Sequence, residues 1–164
     1  MQWFELAASL IVLCFAFVLV VGPPYVPTLS KQAETAMDMV DLRLGETLLE
    51  LGSGDGKILL AAAKRGWKVV GFELNPILVF ISYLRTWRYR GQVKVVWGNF
   101  WNTEKWPPAE GIFVFILQKH MKKLDTRIAQ WHQQPIRLVS FAFTIPDKKP
   151  AETDKHGVYL YEYT

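Results

Sequence analysis

The apolar run Thr47-Leu48-Leu49-Glu50-Leu51 breaks into Gly52-Ser53-Gly54-Asp55-Gly56, and the leucine- and alanine-rich residues Lys57 to Arg65 follow and stop at Gly66. This reads as a buried strand, a glycine-rich turn and a helix. Glycines let the backbone turn tightly and approach a ligand with no Cβ in the way. The alternation then continues. Strands are expected at Trp67 to Glu73, Val93 to Trp97, Gly111 to Leu117, Ile136 to Phe143 and Val158 to Tyr163, with helices from Pro76 and over residues 120–133. Gly111 to Leu117 is almost unbroken apolar sequence, as a parallel strand covered on both faces requires. The polar loop from Pro146 to His156 is too short for a crossover helix, so the last strand is expected antiparallel beside the fifth. The pattern predicts an α/β fold, a Rossmann-like doubly wound and mostly parallel sheet of about six strands. Its ligand site should lie at the carboxyl ends of the strands, near the point where the winding reverses.

Upstream of this unit the chain changes character. From Trp3 to Gly22 the only charge is Glu5, and twenty helical residues at about 1.5 Å each span a bilayer core of about 30 Å. Trp3 and Tyr25 stand where interfacial aromatics would, and Gly22-Pro23-Pro24 ends the helix. A cleaved signal peptide would need a basic start and a small-residue cleavage site, and the segment has neither; a buried core helix stays open as the alternative. Lys31, Arg43 and Lys57 follow the segment, which orients the later domain to the cytoplasmic or mitochondrial matrix side of a single-pass membrane protein. The expected organisation is an anchor over residues 1–23, a linker and amphipathic helix over 24–45 with apolar positions Ala33, Met37, Val40 and Leu44 opened by Ser30, and a domain over 46–164.

The single cysteine, Cys14, lies inside the apolar run, and His120, His132 and His156 have no metal-like spacing, so no metal partner is expected. The net charge is +4, with clusters at Arg85, Arg88, Arg90 and at Lys119, Lys122, Lys123, Arg127, but there is no long basic tail. The charge suits solvated helix faces beside anionic lipid, and no nucleic-acid partner is expected.

Taken alone, the glycine loop could serve a dinucleotide. Glu73 ends the second strand twenty-one residues after Gly52, where a carboxylate can accept hydrogen bonds from both hydroxyls of a ribose. After the third strand, Gly98-Asn99-Phe100-Trp101 offers an amide for an adenine edge and an aromatic for its face. The spacing is not that of a P-loop, and Glu50 and Asp55 put negative charge where a pyrophosphate would sit. Those acids suit an amine and a sulfonium, which favours S-adenosylmethionine as cofactor.

In these residues the sequence resembles the seven-β-strand S-adenosylmethionine-dependent methyltransferases. More narrowly, Pro24-Tyr25-Val26-Pro27-Thr28, Glu50 to Lys57 and Gly71-Phe72-Glu73-Leu74-Asn75-Pro76 are similar to a membrane-anchored group. That group comprises the lysine methyltransferases of the mitochondrial adenine nucleotide translocase and of the ATP synthase c-subunit, with shorter prokaryotic relatives. Glu50, Lys57 and Asn99 stand where Asp, Arg and Asp are common, and the chain reads as one strand short. The resemblance implies a cofactor site of Glu50, Gly52, Ser53, Gly54, Asp55, Gly56, Glu73, Leu74, Asn75, Asn99 and Phe100. It implies protein-lysine N-methylation of a membrane-protein substrate, in which a neutral amine attacks along a desolvated, aromatic-lined channel. Tyr25, Gln118 and His120 are the candidates to line that channel. Methylation of a lipid-soluble small molecule, or a cofactor-binding membrane module without turnover, are the competing readings.

Overall fold

A computed structural model of the chain describes residues 3–6, 8–9, 12–13, 30–132 and 134–164. Helix α1 (Ser30–Val40) turns Ala33, Ala36, Met37 and Val40 inward, the spacing of one buried stripe. It ends four residues earlier than its periodicity suggests. Leu44 falls in the turn before Gly45 and is exposed.

The chain then forms β1 (Thr47–Leu51), α2 (Lys57–Lys64), β2 (Lys68–Glu73), α3 (Pro76–Thr86), a 3-10 turn at Trp87–Tyr89, β3 (Val93–Trp97) and β4 (Gly111–Val114). It closes with α4 (Gln118–Trp131), β5 (Ile136–Phe141), β6 (Glu152–Thr153) and β7 (Val158–Tyr163). The strands make one sheet in the order β3-β2-β1-β4-β5-β7-β6, parallel from β3 through β5, with β7 antiparallel to β5. The winding reverses between β1 and β4, so the glycine loop that leaves β1 sits at the switch point.

The expected six strands are corrected to seven. Glu152 and Thr153 pair with Leu160 and Tyr159 across a tight return, and both are exposed. Two solvent-facing residues carry no apolar alternation, so the strand is held by backbone pairing alone. Strand β5 also stops at Phe141 instead of Phe143, because Ala142 takes a left-handed φ of 67° and Ser140 Oγ donates to the Phe143 carbonyl at 2.7 Å.

Alternate strand residues feed two cores. Leu48, Phe113 and Val139 pack beneath α1 and α2, whereas Leu49, Leu51, Ile112, Val114 and Leu138 face α4 with its Met121, Leu124 and Ile128. Both faces of these strands are covered, which explains their unbroken apolar runs. Between β3 and β4 there is no helix; a coil holding Phe100, Trp101 and Trp106 covers the sheet there. Arg127 secures that coil: its guanidinium stacks 4.4 Å from the Trp106 ring centroid and donates to the carbonyls of Trp101, at 2.6 Å, and Thr103.

The C-terminal strand is tied in by its tyrosines. The Ile145 N–H donates to the buried Tyr161 hydroxyl at 3.0 Å, and the Tyr163 hydroxyl donates to Asp125 on α4 at 2.6 Å. Tyr161→Phe leaves the Ile145 N–H buried and unpaired, at a cost of about 1–3 kcal/mol. Urea unfolding should show a lowered midpoint at unchanged slope; an unchanged midpoint would mean the return to β7 is not held by this bond.

Candidate active site

The glycine loop is defined by where its N–H groups go. Gly52 N–H and Ser53 N–H both donate to the Phe72 carbonyl, at 3.0 and 2.8 Å, and Gly56 N–H donates to Ser53 O at 2.9 Å. Gly54 N–H donates to Glu73 Oε2 at 2.8 Å. The other Glu73 oxygen accepts the Asn75 N–H at 2.7 Å. The buried Glu73 carboxylate therefore joins the loop after β1 to the end of β2, and each oxygen keeps lone-pair capacity for a hydroxyl donor.

Two glycines are sterically required. Gly52 has a φ of +94° with open space where a Cβ would point, so a ligand can approach its backbone. Gly56, at φ +78°, sits so close to α3 that a Cβ would lie 2.6 Å from Ser82 Oγ. Ser82 is fully buried and donates to the Gly54 carbonyl at 2.9 Å. Nothing in the pattern of α3 marks Ser82 except that it is a small polar residue within a largely apolar stretch.

The electrostatics of the loop differ from expectation. Asp55 is paired with Arg85 at 2.8 Å and Lys57 at 3.9 Å, so it does not present free negative charge. Glu50 is buried with Oε2 unpartnered, and desolvation first, then the carboxylates of Glu73 and Asp55, push its carboxyl well above the ordinary carboxylate range. Asp55 and Glu50 thus contribute little charge against a pyrophosphate. The N–H groups of Gly52, Ser53, Gly54 and Gly56 are already committed to protein acceptors, and few donors remain to cradle a phosphate.

The other expected residues divide by role. Asn75 Oδ1 caps α3 through the Ile77 and Leu78 N–H groups at 2.9 and 3.4 Å, while its buried Nδ2 has no partner. Ser53 Oγ is likewise buried and unpartnered. The Leu74 carbonyl accepts from Trp97 Nε1 at 3.0 Å. Asn99 Oδ1 accepts the Trp101 N–H at 2.9 Å, which makes it a turn-former and leaves its amide donors for an adenine acceptor. Phe100 is half-buried, its ring centroid 4.7 Å from that of Trp101.

Gln118 and His120 lie in the first turn of α4, just beyond β4 and so on the loop's side of the sheet. Gln118 Nε2 donates to the Thr144 carbonyl at 2.9 Å, and His120 faces Trp101 with ring centroids 6.0 Å apart. Partial burial, then Lys119 and Lys123, hold the His120 imidazolium below its ordinary value of 6.5. Tyr25 lies outside the described residues. So does much of the expected anchor, and among the described residues no helix is long and apolar enough to cross a membrane.

A separate groove of about 1190 Å³ runs between the 101–109 coil and α4, lined by Trp101, Trp106, Lys123, Arg127 and Trp131 among others. None of the expected cofactor residues lines it.

The residues present fit a nucleoside carrying an amine: a positioned carboxylate for the ribose, a buried carboxyl with one oxygen unpartnered, and open space over Gly52. Comparison with known proteins agrees with that reading. Residues 50–152 match the model of the ANTKMT methyltransferase domain. The human lysine N-methyltransferase of the ATP synthase c-subunit is 32% identical over 137 residues, 82% of this chain and 58% of that protein. A protein-lysine N-methyltransferase of Saccharolobus islandicus is 29% identical over 149 residues, 84% of this chain and 92% of that protein. An RNA methyltransferase of Salinibacter ruber, solved with S-adenosyl-L-homocysteine, superimposes with a TM-score of 0.76 at 25% identity, over 84% of this chain and 92% of that one. Against the human and mouse relatives, the chain spans 58% and 55% of their length.

Glu73→Gln keeps the shape of the side chain but turns one acceptor oxygen into a donor facing a backbone N–H. Affinity for S-adenosyl-L-homocysteine should fall about tenfold to a hundredfold by calorimetric titration, from the loss of charge-assisted bonds; unchanged affinity would place the ribose elsewhere. Glu50→Gln tests the buried carboxyl. In the fold Glu50 retains a proton that the unfolded chain releases above its ordinary value of 4.5, so stability falls as pH rises from there. The Gln variant should show a flatter profile of melting temperature against pH over that window, and identical profiles would mean Glu50 is ionised in the fold.

Proposed function

The chain belongs to the ANTKMT methyltransferase domain family, and from that premise we propose that it is an S-adenosylmethionine-dependent protein-lysine N-methyltransferase acting on a membrane protein. The observation that carries this is the Glu73 carboxylate, held by the Gly54 and Asn75 N–H groups beside the open backbone of Gly52. Lysine is the acceptor named for the human and the Saccharolobus relatives.

Bound S-adenosylmethionine supplies a methyl group on a positively charged sulphur. The protein's task is to bring a neutral amine into line with it and to keep water out. Glu73 binds the ribose hydroxyls, Glu50 faces the amine of the methionine moiety, and the Asn99 amide meets the adenine edge. His120, whose charged form is disfavoured by partial burial and by Lys119 and Lys123, accepts the proton that the incoming lysine ammonium must lose. Gln118 stays fixed through its bond to Thr144 and shapes the mouth. Trp101 already holds the Lys123 ammonium 4.5 Å from its ring centroid, which is the contact an aromatic wall offers a methylated lysine.

The apolar segment of residues 1–23 serves as a single-span anchor, with Tyr25 where the chain leaves it and the catalytic domain on the cytoplasmic or matrix side. The described residues of that segment are helical, and Trp3, Phe4, Leu6, Val12 and Leu13 are 62% to 85% exposed, apolar side chains turned to the surroundings. The non-catalytic reading rested on a missing strand, and that strand is present.

The test is to incubate the full chain with methyl-labelled S-adenosylmethionine and membranes, then to separate protein from lipid and hydrolyse the protein. Label recovered as methyllysine is expected. Label in the lipid extract alone would move the substrate to a lipid-soluble small molecule, and label in neither fraction would overturn the enzymatic reading.

A further inference from the structure

Helix α3 turns much of its apolar surface outward. Its buried residues are Leu78, Ser82 and Thr86, while Phe80, Tyr83, Leu84 and, one turn on, Trp87 are 47% to 61% exposed. The spacing of these four is that of a helix's core-facing stripe, here turned to solvent. Tyr83 and Trp87 pack edge to face at 5.3 Å, so the stripe is ordered. Trp97 joins it from the edge strand β3, 68% exposed and bonded to the Leu74 carbonyl at the foot of α3.

The surrounding charge has one sign. Leu74 to Thr103 contains Arg85, Arg88, Arg90 and Lys94 and no aspartate or glutamate. Arg85 is paired with Asp55, but Arg88 and Arg90 have no carboxylate partner among the described residues, while Lys94 shares Val96's face of β3, away from α3. Arg90 stacks over Trp87 at 5.2 Å. An apolar aromatic stripe this large is a docking surface. Tryptophan and tyrosine at its centre with unpaired cations at its rim match the headgroup layer of an anionic bilayer. A second copy fits poorly, since a two-fold contact would set the same cations against each other.

We propose that the α3–β3 edge is a membrane-docking surface for anionic lipid, a second contact beyond any N-terminal anchor. Trp97 closes β3 at its carboxyl end, the cofactor end of the sheet, and the stripe runs along α3 from Phe80 to Trp87, so docking lays this whole edge of the sheet against the leaflet from which a membrane protein's loop emerges. It also covers the unpaired edge of β3. The surface stands on its own observations and does not require the anchor reading.

The test uses the full chain carrying Cys14→Ser, with a single new cysteine, Leu84→Cys, bearing an environment-sensitive fluorophore. A matched protein carries the label at Lys122→Cys on the exposed side of α4. In phosphatidylserine-containing vesicles the label at position 84 should shift to the blue and be quenched by lipid-borne quenchers. In phosphatidylcholine vesicles it should remain in water, and the label at 122 should remain in water in both. R88Q/R90Q should lower the docked-to-free ratio about twenty-five-fold, from about fivefold per surface cation, and R88E/R90E further still, with folding followed by circular dichroism. Retention of the chain on phosphatidylcholine vesicles reports the anchor separately. A position-84 label indifferent to anionic lipid, burial that survives charge reversal, or burial without vesicles as protein concentration rises would each overturn the proposal, the last by showing a protein partner in its place.

Discussion

The rest of the site depends on one carboxylate. Glu73 accepts the Gly54 N–H through one oxygen and the Asn75 N–H through the other, and these bonds tie together two segments that parallel strands would otherwise only bring near each other. Strand pairing sets Leu51 beside Phe72, but the turn beyond has no ladder to follow. A buried anion receiving two backbone donors supplies what is missing, because losing either donor would leave charge desolvated. The loop is therefore shaped before any ligand arrives. Its free side presents Gly52 and whatever lone-pair capacity Glu73 has left.

That constraint also selects among nucleotides. A phosphate-binding loop leaves its N–H groups pointing at the ligand. Here the N–H groups of Gly52 and Ser53 belong to Phe72, that of Gly54 to Glu73 and that of Gly56 to Ser53. The loop's donors are already used, which leaves a phosphate few partners. The acidic residues contribute less than their number suggests, since Arg85 and Lys57 compensate Asp55 and burial drives Glu50 toward its neutral form.

What could be read from the chain follows the range of the interaction. The strand at Thr47–Leu51, the glycine turn, Glu73 and Pro76 at the first turn of α3 are local patterns, and the fold places them as their periodicity implies. The Asp55–Arg85 pair, the Ser82 bond to Gly54 and the Arg127 clasp on the 101–103 coil join residues 24 to 30 apart through the fold, and no spacing announces them. Strand β6 was illegible for the opposite reason: two exposed residues have too little side-chain pattern to register. Asn75 and Asn99 show a third kind of ambiguity. Each amide oxygen is occupied locally, by a helix start and by a turn, so a residue that looked like a ligand is first a backbone device.

The outward turn of α3's apolar side chains links the two ends of the functional argument. Gly56 can hold its left-handed turn only if α3 offers a small side chain there, and a Cβ would already sit 2.6 Å from Ser82 Oγ. The inner face of α3 must therefore carry serine where a larger apolar residue would ordinarily pack, and Ser82 then serves the loop by donating to Gly54 O. With Ser82 and Thr86 inside beside Leu78, the large side chains of Phe80, Tyr83 and Leu84 turn outward. A soluble surface would not tolerate Phe80, Tyr83, Leu84 and Trp87 in one stripe without something to cover them. The close approach that shapes the cofactor loop and the aromatic edge offered to the bilayer are two faces of one helix, and a change at Ser82 would be felt at both.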